Sequence, residues 1–283
     1  MITTKTNAAA ICLLALAATA CQNTRQTDSD QIANFEINET FKLAGATYLR
    51  MGDNSFGDSV AVYSQAAVSI QWPVRFGDND LSALQDSLLL CVFGLTGTTV
   101  DQAITDYMAQ PLGYGDYRLE KVDAPAPGCP ALLKSVGAHT VGFCERYIVY
   151  KVTEFEDNGG AHPNYASKFL NYDIKSNSVL KRTDIFAPGS DQEVLDAVVA
   201  QLLDLYFSDS LEELEQKSGI FTDQIFLTDN IYITGSDIVF FYNPYEIAPW
   251  YVGTVEVPLH EYDIEEYLTP QAKALFWWND QQP

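Results

Sequence analysis

Hydrophobic and polar residues alternate with a period of two along several stretches of the chain, which is typical of strands with one buried face. In residues 60–74, VAVYSQAAVSIQWPV, this alternation places Val68, Ile70 and Trp72 on the same side. Residues 46–51, ATYLRM, show the same period-two alternation of apolar and polar residues. We therefore predict two strands in this part of the chain.

The second half of the chain predicts antiparallel strand pairs. Residues 145–174 contain a long apolar and β-branched run, a turn at Gly159 and Gly160, and a returning run. Residues 230–244 predict a hairpin with GSD at its tip, and residues 254–260 predict a further strand.

A spacing of three and four residues between apolar positions predicts the helices. In residues 78–94 this spacing places Leu81, Leu84, Leu88 and Cys91 on one face, so we expect Cys91 to be a buried thiol. Shorter helices are predicted over residues 98–111 and 211–217 and after Thr269 and Pro270.

The clearest helix is predicted over residues 190–207, which carry a broad apolar stripe. Ser190 and Glu193 have the spacing of a capping box at its start. Ser210 and Glu213 repeat that spacing, which predicts the start of the next helix.

Strands and helices do not alternate strictly, so the fold class we predict is α+β, with mostly antiparallel sheets, helices packed on one face and two intimately associated subdomains. Residues 123–144 are rich in Pro and Gly and are expected to be an inserted loop. The predicted organisation is a signal peptide at 1–20, a flexible tether at 21–40, a smaller N-terminal α+β subdomain at 41–155 that carries the insertion, and a C-terminal α+β domain at 156–278.

The N-terminus has the layout of a secretory signal: Lys5, an apolar run too short to span a bilayer, and small residues before Cys21. The sequence ATAC resembles a bacterial lipoprotein processing box, although Ala18 stands where that box usually has Leu. The resemblance implies lipidation of Cys21 and membrane attachment through that lipid. Gln22 favours an outer-membrane lipoprotein, facing the periplasm or the cell surface; an ordinary secretory signal is the alternative.

The formal net charge of −22 argues against nucleic acid and anionic lipid surfaces as partners and permits cationic ones. Removal of residues 1–20 takes away Lys5 and makes the balance one unit more negative. Hydrophobic residues at 47% and aromatic residues at 12% exclude a disordered chain.

Three cysteines remain after Cys12 and Cys21 are set aside. Because an exported protein meets an oxidising compartment, we predict a disulfide between Cys129 and Cys144, which bracket the Gly-containing segment.

No catalytic residue, metal site or cofactor is predicted. The chain contains no CxxC pair, HExxH spacing, GxSxG elbow or phosphate-binding loop, and its histidines are His139, His162 and His260. With 38 acidic residues, any acid–base pair chosen from the sequence would be arbitrary.

The stretch FYNPYEIAPWYVG allows two interpretations. Its prolines and aromatic residues can form a rigid connection packed onto the core, or its rings can stack on a sugar or a partner protein beside hydrogen-bonding groups. The candidate ligand-binding residues of this stretch are Asn243, Tyr245, Glu246, Trp250 and Tyr251.

His162 in GGAHP is a further candidate ligand-binding residue. Gly159 and Gly160 supply the positive φ that a turn needs. The only role of His162 can then be structural, as a hydrogen-bonding residue within that turn. A catalytic role would require partners, and Glu246 is the one we consider.

In this order, the segments GGAHPNY, LNYDIKSNSVLKRTDIF and FYNPYEIAPWYVGTVEVPL resemble the extracytoplasmic domain shared by RsiV-type anti-sigma factors and PdaC-type peptidoglycan deacetylases, which also occurs alone on lipoproteins. The segment VSIQWPVRFGDNDLSALQDSLL is similar to the smaller domain that precedes it. The resemblance implies an α+β fold at the cell envelope, where some members sense lysozyme and others act on peptidoglycan. We expect no deacetylase catalytic domain in this chain.

The expected function is therefore that of a lipid-anchored envelope binding module that recognises a cell-wall glycan or a cationic protein such as lysozyme. The alternatives are a hydrolase of peptidoglycan or another glycan that uses His162 and Glu246, and a structural envelope lipoprotein without a small ligand.

Overall fold

A computed structural model describes residues 31–49, 59–113 and 116–276. Within these residues the chain forms ten strands and six α-helices. Seven strands make a mostly antiparallel sheet, three make a second, antiparallel sheet, and helices pack against them. The predicted α+β class is confirmed. In the same residues, no helix is long and apolar enough to cross a membrane.

The first sheet has the order β3-β1-β2-β4-β5-β6-β7, and the second has the order β10-β9-β8. The first sheet comprises β1 (Gln31–Leu49), β2 (Ser59–Arg75), β3 (Arg118–Val122), β4 (Ala131–Phe143), β5 (Tyr147–Asp157), β6 (Asn164–Asp173) and β7 (Ser178–Leu180). The second sheet comprises β8 (Ile231–Ile233), β9 (Asp237–Tyr242) and β10 (Val255–His260). The helices are α1 (Ser82–Phe93), α2 (Val100–Met108), α3 (Arg182–Ile185), α4 (Asp191–Leu205), α5 (Leu211–Ser218) and α6 (Pro270–Lys273).

Two large cores form, one for each sheet. In the first core, α1 and α2 cover one face of the seven-stranded sheet and bury side chains such as Leu84, Leu88 and Ile104. In the second core, α4 covers the three-stranded sheet and turns Val194 and Val198 into it at the i, i+4 spacing of one helical face. Burial of these apolar faces is the main stabilising contribution.

The two sheets are joined by hydrogen bonds from asparagine side chains at the outer edge of β6. Strand β7 pairs only with the last residues of β6, from Asn171 to Asp173. Asn230, just before β8, accepts a hydrogen bond from the N–H of Phe169 at 3.1 Å and donates one to the carbonyl of Ser167 at 2.8 Å. A side-chain amide thus takes the place of a neighbouring strand.

Asn171 makes the reciprocal connection from β6 to β8. Its amide nitrogen donates to the carbonyl of Ile231 at 2.8 Å, and its amide oxygen accepts from the N–H of Ile233 at 2.9 Å. The side chain is buried, so both of its polar atoms need these partners.

The predicted flexible tether at 21–40 is wrong for residues 31–40. These residues begin β1 and pair with β2 in a register that places Phe35 opposite Ile70 and Ile37 opposite Val68. Phe35 and Ile37 pack half-buried against the first core, which anchors the strand. Residues 1–30, including the predicted signal peptide and the predicted lipidation site Cys21, lie outside the described residues.

The predicted inserted loop at 123–144 is also wrong, because most of it is β4, an interior strand of the first sheet. Two of the glycines on which the loop prediction rested, Gly137 and Gly142, are explained by the packing and the register of the strand itself. A Cβ at Gly137 would lie 2.8 Å from the Thr153 hydroxyl oxygen on β5, so only Gly allows this close approach. Gly142 follows a bulge where the register with β5 shifts.

The predicted disulfide between Cys129 and Cys144 is wrong, since β4 runs between the two residues. Its 13 residues separate the cysteines by roughly 40 Å at about 3.3 Å per residue, whereas a disulfide needs Cα atoms about 4.4–6.8 Å apart. Cys144 is buried in the second core. Cys91, expected to be a buried thiol, is half-buried and lines a cleft.

The predicted capping box at the start of α5 forms only in part, because the Glu213 carboxylate bonds to the residue before the N-cap and not to the N-cap residue itself. Ser210 accepts a hydrogen bond from the N–H of Glu213 at 3.2 Å, and the Glu213 carboxylate accepts one from the N–H of Asp209 at 2.8 Å. At the start of α4 the prediction is wrong, because the Ser190 hydroxyl instead donates to the carbonyl of Ala187 at 2.8 Å.

Phe207, after the end of α4, combines an 87% exposed side chain with a φ of +50°. The N–H of Phe207 donates to the carbonyl of Asp204, the N–H of Ser208 donates to the carbonyl of Leu203 at 2.8 Å, and the Lys217 ammonium donates to the carbonyl of Phe207. The chain therefore holds a large side chain in a conformation that favours Gly.

We predict that Phe207→Gly raises the free energy of unfolding by about 1 kcal/mol, because the left-handed conformation costs a non-Gly residue about 1–2 kcal/mol and the lost ring is exposed. Phe207→Ala is the matched control, since it removes the ring but keeps a Cβ. Urea denaturation of both variants measures the difference. Equal stabilities of the two variants would contradict the conformational explanation.

Candidate functional site

Three of the predicted ligand-binding side chains, His162, Tyr245 and Trp250, are in direct contact. The imidazole of His162 stacks on the indole of Trp250, with ring centroids 4.3 Å apart and an interplanar angle of 18°. Its Nε2 lies 2.9 Å from the hydroxyl oxygen of Tyr245. We call these three residues the aromatic cluster. His162 comes from the turn between β5 and β6, and the other two come from the loop between β9 and β10.

The β5–β6 turn positions His162 through hydrogen bonds within the turn and to the loop. The Asp157 carboxylate accepts from the N–H of Gly159 at 2.9 Å, and Gly159 takes the positive φ of +73° that the turn requires. The carbonyl of Pro163 lies 3.1 Å from Nδ1 of His162 and 3.1 Å from the indole nitrogen of Trp250. One carbonyl therefore fixes both stacked rings.

These contacts define which nitrogen of His162 carries the proton in the neutral ring. A carbonyl oxygen can only accept, so Nδ1 donates to Pro163. Nε2 then accepts the hydrogen bond from the Tyr245 hydroxyl. Both ring nitrogens are engaged in holding the aromatic cluster together.

Asn243 and Glu246 belong to the loop that carries Tyr245 and Trp250, and they hold this loop in place. The Asn243 side chain accepts from the N–H of Ser167 at 2.7 Å and donates to the Ser167 carbonyl at 3.1 Å, which ties the loop to β6. The Glu246 carboxylate accepts from the N–H of Asn243 at 2.7 Å. These polar groups, predicted as ligand-binding, are occupied by the protein itself.

Tyr245 is held outward by the loop in an unusual backbone conformation. Its φ is +71°, its side chain is 59% exposed, and its N–H donates to the carbonyl of Ala248 at 2.9 Å. The left-handed region is costly for an aromatic residue, and such strain concentrates at functional sites.

Trp250 is half-buried, with the ring of Tyr165 against its edge at 6.5 Å. Tyr251, the next residue, is 75% exposed. Its hydroxyl lies beside Gly219, where a Cβ would come within 2.9 Å of that oxygen. The exposed rings of Tyr245 and Tyr251 thus flank a half-buried Trp250 in the chain.

The residues of FYNPYEIAPWYVG divide between the core and the surface. Phe241, Tyr242 and Ile247 are core side chains, whereas Tyr245 and Tyr251 project into solvent. Tyr165 and the Pro163 carbonyl belong to the site and were not predicted. The alternation of residues along β6 determines which face of the strand Tyr165 occupies. The contact of Tyr165 with Trp250 on that face is visible only in the tertiary structure.

The hydrolase interpretation finds no supporting contact. In the described part of the chain, His162 hydrogen bonds to Pro163 and Tyr245, and Glu246 hydrogen bonds to Asn243. Among the same residues, no group of three or more His, Cys, Asp or Glu side chains could hold a metal ion.

We predict that Asn243→Ala lowers the free energy of unfolding by about 1–3 kcal/mol, because it leaves the backbone N–H of buried Ser167 without its acceptor, while the Ser167 carbonyl keeps the hydrogen bond from Asn230. Asn164→Ala is the matched control, an exposed asparagine on the same strand, and is expected to change stability by less than about 0.5 kcal/mol. Chemical denaturation compares the two. A similar small effect of both would show that Asn243 does not hold the loop.

Two kinds of comparison relate this chain to known proteins: a family model matches part of the sequence, and solved structures share most of the fold. Residues 183–261 match the family model described as a protein of unknown function, DUF3298. No curated protein matches the chain. The matched segment contains α4, α5, the second sheet and the loop with Tyr245 and Trp250, while His162 lies before it.

Two solved structures share the fold. A member of the DUF3298 family from Bacteroides fragilis superimposes with a TM-score of 0.67 and 22% identity, covering 86% of this chain and 94% of that one. A DUF3298 family protein from Pseudomonas aeruginosa PAO1 gives a TM-score of 0.54 and 15% identity, covering 86% and 97%. The comparisons therefore show that residues 183–261 are similar to the DUF3298 domain, a domain of unknown function, and that the fold of the chain is shared with two proteins of that family.

Proposed function

We propose that this protein is a lipid-anchored binding module of the cell envelope that recognises a cationic protein, such as a lysozyme-type muramidase, through the aromatic cluster. The observation that carries the proposal is Tyr245: its ring is held 59% exposed by a strained backbone and by contact with His162. Aromatic side chains presented in this way are typical anchors of protein interfaces.

The rigidity of the aromatic cluster favours binding. Asn243 fixes the loop to β6, and the Pro163 carbonyl fixes His162 and Trp250. A site that is ordered before its partner arrives loses less conformational entropy on association.

The charge of the protein favours a cationic partner. The formal net charge is −22, and the turn and loop that carry the aromatic cluster contribute the carboxylates of Asp157 and Glu246. A negative potential speeds the encounter with a basic protein and makes binding sensitive to salt.

The envelope location is part of the proposal and rests on the sequence. The ATAC motif supports lipid attachment at Cys21 and an outer-membrane lipoprotein that faces the periplasm or the cell surface. The similarity of GGAHPNY and FYNPYEIAPWYVGTVEVPL to RsiV-type domains supports lysozyme as the first partner to test.

A cell-wall glycan is the second candidate ligand, and the exposed rings of Tyr245 and Tyr251 favour it. Aromatic faces of this kind can stack on sugar rings, and the tyrosine hydroxyls can hydrogen bond to sugar hydroxyls. A glycan would bind with a weaker dependence on salt than a basic protein.

We predict that the chain beginning at Gln22 binds lysozyme in biolayer interferometry, more weakly as the salt concentration rises. Tyr245→Ala and Trp250→Ala are each expected to raise the Kd at least about tenfold, the size of a substantial interface contact. Tyr262→Ala is the matched control: its ring is also 59% exposed and also contacts a histidine, His260, at 5.2 Å between centroids.

Three other outcomes separate the alternatives. Lysozyme binding that survives both substitutions would contradict the assignment of the site. Absence of lysozyme binding, with retention of soluble peptidoglycan fragments that is lost in Trp250→Ala, would identify a glycan as the ligand. Absence of both would leave a structural envelope protein.

A further inference from the structure

A cleft of about 320 Å³ opens between the C-terminal end of α1 and the first sheet. It is separate from the aromatic cluster, and we call it the α1 cleft. The lining residues that decide its chemistry are Phe93, Tyr107, Val136, Glu154, Glu156 and Lys168.

The α1 cleft exists because a charged part of the sheet extends past the end of α1. On β5, Tyr150 and Val152 are buried in the first core beneath the helices. Glu154 and Glu156 occupy the next two positions on the same face, since strand side chains alternate. The helix ends at Phe93 and leaves these carboxylates uncovered.

The same alternation places the α1 cleft and the aromatic cluster on opposite faces of the β5–β6 hairpin. Phe155 pairs with Tyr165, and Tyr165 packs against the edge of Trp250. Glu154 and Glu156 are one position away on either side of Phe155, so their side chains point to the other face. A ligand in the α1 cleft would therefore not use the aromatic cluster.

Lys134, which lies against the Tyr107 ring of the α1 cleft, already binds to groups of the protein. Lys134 is buried, its ammonium donates to the carbonyls of Tyr107 and Gln110, and it lies 3.8 Å from the centroid of the Tyr107 ring. Burial lowers the pKa of Lys134 to about 8, and Glu156 opposes that shift. The position of Lys134 shows that the Tyr107 ring accepts a cation on its face.

The charged side chains that line the α1 cleft, two carboxylates and one ammonium, leave an excess of negative charge. Lys168 and Glu154 form an ion pair at 3.8 Å, with side chains 60% and 47% exposed, a geometry that holds neither side chain firmly. Glu156 makes no ion pair within 4.0 Å in residues 31–49, 59–113 and 116–276. The C-terminal carbonyls of α1 add partial negative charge at the other wall.

The aromatic wall of the α1 cleft supports the same preference. The rings of Phe93 and Tyr107 meet edge to face, with centroids 5.9 Å apart. Burial raises the pKa of Tyr107, and the carboxylates of Glu156 and Glu154 raise it further, which is the effect of a negative potential at this ring. Aromatic faces beside carboxylates are the groups that recognise organic ammonium ions.

We propose that the α1 cleft binds an organic ammonium ion with an apolar body. The positive charge lies beside Glu154 and Glu156, and the apolar body packs against Phe93, Tyr107 and Val136. The ligand is either a free amine or the lysine side chain of a peptide, and the experiment distinguishes the two. This site does not depend on the function proposed for the aromatic cluster.

The thiol of Cys91 lines the α1 cleft and reports on its occupancy. We expect benzyltrimethylammonium to slow alkylation of Cys91 by iodoacetamide at least about fivefold, as measured by peptide mass spectrometry on the chain beginning at Gln22, because the bound cation blocks access. Phenylacetate, an aromatic ion of opposite charge, is expected to have no effect. Alkylation of Cys129, which lies outside the cleft, is the internal control.

A second series distinguishes the source of the ammonium group. Protection by Nα-acetyl-lysine methylamide at concentrations similar to those of benzyltrimethylammonium identifies a peptide side chain, and protection by benzyltrimethylammonium alone identifies a free amine. Glu154→Gln and Glu156→Gln are each expected to raise the half-protecting concentration at least about fivefold. Glu120→Gln, on β3, is the matched control and leaves that concentration unchanged.

The alkylation rate of each variant without ligand shows whether the cleft remains folded around Cys91. If both substitutions disturb it, Lys168→Gln replaces them and is expected to lower the half-protecting concentration by removing a competing cation. Protection by phenylacetate equal to that by the ammonium ion, or no protection by either, would overturn the proposal. Unchanged protection in all the charge variants would also overturn it.

Discussion

The structure depends on how the outer edge of β6 is satisfied where no strand pairs with it. Backbone N–H and carbonyl groups at a sheet edge need partners when they are covered, and an unsatisfied buried group costs about 1–3 kcal/mol. Asparagine side chains supply the partners: Asn230 bonds to Ser167 and Phe169, and Asn243 bonds to Ser167 again. The second sheet is attached to the first by these amides as well as by packing.

This attachment also builds the candidate site. Asn243 opens the loop after β9, so the bonds that tie the loop to β6 bring Tyr245 and Trp250 onto the β5–β6 turn, where His162 meets them. The strained conformation of Tyr245 is maintained because the residues around it are fixed. Stability of the sheet connection and exposure of the aromatic ring therefore have a common physical origin. The proposed preference for a cationic partner rests on the formal net charge of −22.

Local periodicity predicted the elements whose burial follows one face. It predicted α1, α4 and the hairpins, because one-sided burial repeats at the period of the element. It missed β4, where Gly137 and Gly142 serve close strand contact and a bulge and thereby imitate a loop. It also missed the first half of β1, whose apolar residues are only half-buried.

The candidate residues were predictable by type, but their roles were not. The contact between His162 and Tyr245 spans 83 positions of sequence and exists only through the join of the sheets. Native-state hydrogen exchange of the Ser167 and Phe169 amides in Asn243→Ala and Asn230→Ala tests that join most directly. Because the asparagine amides join the two sheets, we expect each substitution to accelerate exchange at least about tenfold at the amide whose acceptor it removes, while the Val152 amide within the sheet stays slow. Unchanged exchange at Ser167 and Phe169 would contradict this expectation.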